Sequence, residues 1–262
     1  MKILKFTLSG KTAFFKKPDV NTYLYFTYGN IHKVALLGIF GAILGYGGYN
    51  QMKKLDTSKK SSKKNNEDNV FPEFYEKLRN INISIVPNNK KGFIPKKVQT
   101  FNNSVGYASK EQGGNLIVKE QWLESPSWDI YVLVESEESE KVAEYIINHR
   151  TIYHPYLGKN DHYANIKDAE IIDDNEIIEL NEIRKINSLF PKKFFEVNLE
   201  EDEDEPDDNY EDTFKYEEKL PIALEKETNM YILEGFLYTN MKISGHNDVT
   251  VYKVKKRNII FY

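Results

Sequence analysis

The chain opens on strict alternation: Leu4, Phe6 and Leu8 are apolar and Lys5, Thr7 and Ser9 between them are polar, the period of a half-buried strand. After a polar and aromatic connection over residues 10–31, the apolar run KVALLGIFGAIL predicts a helix from about Lys33 to Leu44. Residues 80–86 (NINISIV) alternate again around Ile81, Ile83 and Ile85 and predict a second strand. DIYVLV, residues 129–134, predicts a buried third strand. Ser136 then caps a helix that places Val142, Ala143, Ile146 and Ile147 on one face and ends near His149. One more strand, around Ala169 to Leu180, completes the split β-α-β arrangement of ferredoxin-like and RRM-like domains, so the fold class is α+β. Further strands are predicted at Met230–Leu237, Val249–Val254 and Asn258–Tyr262.

Three stretches break this pattern. Gln51 to Asn69 has six lysines, many Ser and Asn residues and almost no apolar anchor, and reads as a loop. Pro87 to Ser127 is rich in Asn, Gly, Lys and Pro with short apolar runs, and reads as a basic hairpin excursion. Residues 200–212 carry ten acidic residues in thirteen, a self-repelling solvated loop without the glycine of an EF-hand turn. Val34 to Tyr49 is apolar, and Gly41 and Gly45 have the spacing of a membrane dimerisation motif. It is too short for a span, which needs about 20 apolar residues. The expectation is a buried helix packed on a sheet through its small face, and no membrane partner.

Charge changes the picture. The net charge of −4 argues against nucleic acid only if it is evenly spread. Residues 1–119 hold 20 of the 36 Lys and Arg residues and 7 of the 40 Asp and Glu residues, a local net of +13, which leaves −17 for residues 120–262. The mean conceals a basic half and an acidic half. With no cysteine in the chain, disulfides, thiolate metal sites and cysteine nucleophiles are excluded. The strand-like N-terminus is not a signal peptide, so a cytoplasmic location is expected.

Two segments carry candidate chemistry. Between the first strand and the first helix, Gly10, Lys11, Phe14, Phe15, Lys16, Lys17, Asn21, Thr22 and Tyr23 bring cations, amides and aromatic faces into one connection. That mixture suits single-stranded RNA: lysines neutralise phosphates, aromatics stack on unpaired bases, and short polar side chains reach base edges. The plainer alternative is a solvated loop whose Phe pair plugs the core. The helix starting near His32 and Lys33 adds N–H groups for an anion beside it. The second segment, YLGKN at 156–160, combines Gly158 with Lys159 and Asn160, and is equally consistent with a plain turn. The five histidines show no metal-ligand spacing, and no metal or cofactor is predicted. His149, His154 and His162 share a region with Tyr153, Tyr163 and Lys159, which leaves a metal-independent endoribonuclease as the alternative function. A protein-only scaffold whose basic half meets an acidic partner is the blandest reading.

The order of these pieces resembles the Cas-five family, the RAMP-type subunit of type I CRISPR Cascade complexes, and most closely its type I-B branch. The carrying segments are FTLSGKTAFFKKPDVNTYLYFTY, KVALLGIFGAILGYGGY, WDIYVLV and HPYLGKNDHYANI. The resemblance runs over most of residues 1–180 and implies an RRM-like core there, with a hairpin thumb inserted at 87–127; residues 181–262, which resemble the family only loosely, read from their pattern as a strand-rich extension. It implies a non-catalytic subunit that caps the 5′ handle of the crRNA. Its expected partners are a backbone subunit of the Cas-seven type, a large subunit of the Cas-eight type and, through the complex, target DNA near the PAM. By position, Lys11, Lys16, Lys17, Asn21, Thr22, Tyr23, Lys33, Gly158, Lys159 and Asn160 would form the handle site, and Lys90, Lys91, Lys96 and Lys97 would belong to the thumb. The type I-C branch cleaves precursor RNA, but its adjacent Lys-His pair does not occur here.

Overall fold

The computed structural model describes residues 1–19, 23–52, 70–104, 106–107, 110–112, 114–178, 183, 185–197, 212–244 and 249–262. The expected loop at 51–69 lies outside them apart from residues 51 and 52, and the acidic loop at 200–212 apart from Asp212.

The elements run β1 (Ile3–Ser9), β2 (Thr12–Ala13), α1 (Lys33–Leu44), α2 (Glu73–Leu78), β3 (Ile83–Pro87), β4 (Lys96–Asn102), β5 (Ile117–Glu124), β6 (Ser127–Leu133), α3 (Glu137–Ile147) and β7 (Asn165–Ile172). There follow β8 (Asn175–Ile178), β9 (Phe190–Pro191), β10 (Glu196–Val197), β11 (Lys215–Leu224), β12 (Tyr231–Thr239), β13 (Ile243–Ser244), β14 (Val251–Val254) and β15 (Arg257–Ile260). The central sheet has the order β3-β6-β1-β7, every neighbour antiparallel, with Phe6 and Ile85 both in register with Ile130.

Alternation along these strands sorts their side chains onto two faces. Leu4, Phe6, Leu8, Ile83, Ile85 and Ile130 meet Leu36, Leu37, Phe40 and Ile43 of α1 and Val142 and Ile146 of α3 in the main core. The opposite face carries Ile3, Val86, Tyr131, Leu133 and Ile172, packed against Val254 and Ile259 of the C-terminal hairpin. Polar groups tie the same hairpin down. Arg257 Nη1 donates to Asp129 Oδ2 (2.6 Å), Thr7 Oγ1 donates to Asp129 Oδ1 (2.8 Å), and Lys255 pairs with Glu170 (2.7 Å). This face of the central sheet is therefore covered.

The strand expected over 169–180 is two strands in different sheets, β7 beside β1 and β8 beside β14, broken at Asp173 and Asp174; residues 179–180 lie outside the described set. The small face of α1 also packs differently from expectation. A Cβ on Gly41 would sit 2.5 Å from the Phe74 Cβ, so the small face admits α2 and not the sheet. No helix among the described residues is long and apolar enough to cross a membrane.

Residues 87–127 contain β4 and β5, which pair antiparallel from Lys96↔Leu123 to Asn102↔Ile117, between β3 and β6 of the central sheet. The β11–β12 hairpin, with β9 at its edge, places Leu220, Leu224, Tyr231 and Phe236 against the main core.

Candidate nucleic-acid interface

Three chain segments converge beside the N-terminal half of α1. The connection after β2 folds back on itself, with Tyr28 N–H donating to Phe15 O (2.8 Å) and Lys17 N–H to Phe26 O (2.8 Å). Its return leg docks on β5, where Tyr25 N–H donates to Lys119 O and Gln121 N–H to Tyr25 O (2.9 Å each). The loop after α3 is the third segment, joined by Phe14 N–H donating to Leu157 O (3.0 Å). Gly158 is fixed there at φ +91°, and a Cβ would stand 1.9 Å from Phe14 O. Glycine at this position is a packing requirement as well as a conformational one.

These segments enclose a cleft of about 870 Å³ floored by Ala35, Gly38 and Ile39 of α1. Lys16, Gly158 and Lys159 line it, so the structure joins residues from the two sequence segments that carried candidate chemistry. Tyr25, Tyr46, Tyr49, Tyr153, Tyr156 and Tyr231 line it too. A groove of about 250 Å³ runs on toward the β4–β5 hairpin, lined by Tyr23, Phe101, Leu116 and Lys119 and sharing Tyr25, Glu120 and Lys159 with the cleft. Tyr23 is 88 % exposed and Tyr153 60 %, free to stack on unpaired bases. Lys16 Nζ lies 4.1 Å from the centroid of Tyr25, a cation held over an aromatic face.

Of the other residues singled out from sequence as RNA contacts, Phe14 and Phe15 border the cleft and the rest of those described do not. Phe14 and Phe15 are buried, Phe15 in the main core, and both also line the cleft. Lys11 is exposed at the β1–β2 turn, and Asn160 is exposed beside Lys159. Lys17 turns to β11, where Nζ meets Glu218 Oε1 at 2.7 Å. Lys33 is the first residue of α1 and does not line the cleft; desolvation lowers its pKa to about 8. Lys90 is exposed and Lys91 pairs with Asp212 (3.2 Å), at the base of the β4–β5 hairpin. Lys97 pairs with Glu124 (3.4 Å), and desolvation lowers the pKa of Lys96. Asn21 and Thr22 lie outside the described residues.

Lys159 is also engaged. Its Nζ lies 3.0 and 3.2 Å from the two carboxylate oxygens of Glu120, a side chain only 5 % exposed, and 3.8 Å from Asp161 Oδ2. Trp122 Nε1–H donates to Glu120 Oε2 (2.8 Å), and the Trp122 ring meets the His162 ring edge-on at 4.6 Å. His162 is 1 % exposed, shares a 2.7 Å hydrogen bond with Thr12 Oγ1, and has its pKa lowered by desolvation. His32 is buried as the N-cap of α1, its Nδ1 accepting from Ala35 N–H (3.2 Å), and burial lowers its pKa to about 3. One of the N–H groups expected to face an anion is thus already capped. Among the described residues no group of three His, Asp or Glu is placed to hold a metal.

Sequence reasoning missed Glu120, Trp122 and the cleft tyrosines Tyr25, Tyr46, Tyr49 and Tyr231. Tyr153 and Tyr156 lie in segments already singled out above; Tyr231 arrives from the β11–β12 hairpin with no local signal.

No protein-family model matches this sequence, and no curated protein is similar to it. Solved structures align with it along most of its length. A chain of a CRISPR RNA-guided surveillance complex is 9 % identical with a TM-score of 0.51, over 92 % of this chain and 91 % of that one. A CRISPR protein from Archaeoglobus fulgidus is 9 % identical with a TM-score of 0.49, over 100 % and 98 %. A chain of a type III-B Cmr-beta complex bound to cognate target RNA and AMPPnP is 11 % identical with a TM-score of 0.44, over 93 % and 86 %. Along nearly its whole length the chain shares its fold with a component of a CRISPR RNA-guided surveillance complex.

Proposed function

We propose that this chain is a non-catalytic RNA-binding subunit of a type I CRISPR surveillance complex, of the Cas-five kind, that caps the 5′ handle of the guide RNA. The observation that carries the reading is the cleft. Lys16 and Lys159, far apart in sequence, are brought together among tyrosines by the same two segments that carry the family resemblance. Central strands in the spatial order fourth, first, third, second, with a hairpin between the second and third, support a ferredoxin-like core with a thumb. Because β14 and β15 cover the far face of the sheet, RNA is assigned to the cleft and the thumb groove. In this reading the thumb meets a backbone subunit of the Cas-seven type, and a large subunit of the Cas-eight type docks nearby and reads the PAM of target DNA.

A non-catalytic role is favoured over a ribonuclease because His162 is enclosed, its Nδ1 on Thr12 and its Nε2 without a hydrogen-bond partner. His154 lines the cleft, but His149 does not. The test is to incubate the purified chain with labelled repeat RNA in EDTA beside Lys16→Ala and Lys159→Ala variants, reading binding and cleavage from the same samples. Binding without cleavage, weakened in the variants, is expected. Specific cleavage lost in His154→Ala would replace the proposal with a processing nuclease. With about five phosphate contacts, log K should fall against log salt with a slope of roughly −3 to −4.

A further inference from the structure

A buried carboxylate is an unexpected wall for a phosphate site. Glu120 lines both the cleft and the thumb groove, and it sits against the lysine that would otherwise attract the backbone. A phosphate brought to Lys159 would meet that carboxylate. A nucleobase edge carrying N–H donors would not. We propose that Glu120 and Lys159 act together as a base-reading pair selective for guanine. This rests on the RNA-binding reading above and names the specificity of that site.

Hydrogen-bond complementarity selects the base. Glu120 offers two acceptor oxygens and Lys159 an adjacent donor, an acceptor-acceptor-donor set. The complementary edge reads donor-donor-acceptor, which among the RNA bases is guanine with N2–H, N1–H and O6. Cytosine and adenine present a single N–H group to the carboxylate, and uracil places its one N–H between two acceptors. At present Lys159 occupies both oxygens and Trp122 Nε1–H one lone pair of Oε2. When Lys159 turns to O6, both oxygens can accept from the base while the Trp122 bond holds the carboxylate in place. Tyr25 and Phe101, the latter 5.4 Å from Lys159 Nζ, flank the pair with aromatic surface for stacking.

The test measures binding of the full chain to short labelled oligouridylates, either plain or carrying one central guanosine, inosine, adenosine or cytidine, by fluorescence anisotropy at low salt. Wild type should bind the guanosine oligomer about tenfold tighter than the plain one, the scale of a good bidentate base contact. Inosine, without the N2 amine, should fall between them. Glu120→Gln should lose the preference, so that the guanosine oligomer binds no tighter than the plain one, because the amide offers the base one acceptor in place of two. Wild type binding all oligomers equally, favouring adenosine or cytidine, or treating inosine as guanosine would overturn the base reading while leaving RNA binding intact; a Glu120→Gln variant that keeps the preference would do the same. Wild type binding none of them would overturn the RNA-binding reading itself. The inosine arm needs no variant, so a folding defect in Glu120→Gln cannot mask the answer.

Discussion

Lys159 Nζ lies 3.0 Å from Glu120 Oε1 and so ties the loop after α3 to strand β5 of the inserted hairpin. Removing the ammonium leaves a carboxylate that is almost wholly enclosed without its counter-charge. Lys159→Met should therefore lower stability. Because Lys159 itself is about a third exposed, the loss should be about 1–3 kcal/mol, below the full cost of breaking a buried pair. Urea unfolding measures it, and adding Glu120→Gln should recover most of the loss. A single variant as stable as wild type would show that the pair is not a structural tie.

Gly158 predicts a sharper failure. Alanine there would collide with the Phe14 carbonyl and would also hold an unfavourable positive φ. The loop must move, at a cost of about 1–3 kcal/mol, and Lys159 moves with it. Thermal melting and RNA binding should both suffer in Gly158→Ala, whereas Asn160→Ala, exposed next door, should change stability little. Equal behaviour of the two variants would contradict the packing described here.

The α1–α2 contact can be tested on its own. Gly41→Ala forces a methyl group onto Phe74 and should destabilise by about 1–3 kcal/mol through overpacking. Combining it with Phe74→Leu should give a smaller loss than the two single changes added together. Strict additivity in a double-mutant cycle would mean that the two positions do not touch.

His32 predicts a pH dependence of defined sign. Burial lowers its pKa to about 3 in the folded chain against an ordinary 6.5. The unfolded chain therefore binds a proton over that interval that the folded chain does not. Its share of stability is fully present above pH 6.5 and is lost as pH falls toward about 3. Between pH 6.5 and 5 the loss is about 2 kcal/mol. His32→Asn keeps an N-cap oxygen and cannot titrate, so its stability should fall less over that interval. Parallel pH profiles for the two proteins would refute the assignment.

Local pattern was enough to find β1, α1, β6 and α3, because each is long enough to repeat its period. The helix α2, only six residues after Pro72, is too short for a period to register. What the sequence hid most completely is long-range. Nothing in Val254 or Ile259 announces that they close the far face of the central sheet, and nothing in Tyr231 announces that it reaches the cleft. The candidate site was half legible. Lys16, Gly158 and Lys159 were visible as types in segments and do come together, whereas Lys17, Lys91 and Lys97 are ion-paired with acidic residues of the other half of the chain. Basic and acidic halves that look separate in sequence neutralise one another in space.

On the proposed reading, RNA enters the cleft beside α1 and leaves the far face of the sheet untouched. Photo-crosslinking the chain to 4-thiouridine-bearing repeat RNA, followed by mass spectrometry of the adducts, tests it most directly. Adducts are expected at Tyr23, Tyr25, Tyr153 or Tyr156. Adducts confined to β14, β15 or the outer surface of the β11–β12 hairpin would contradict it.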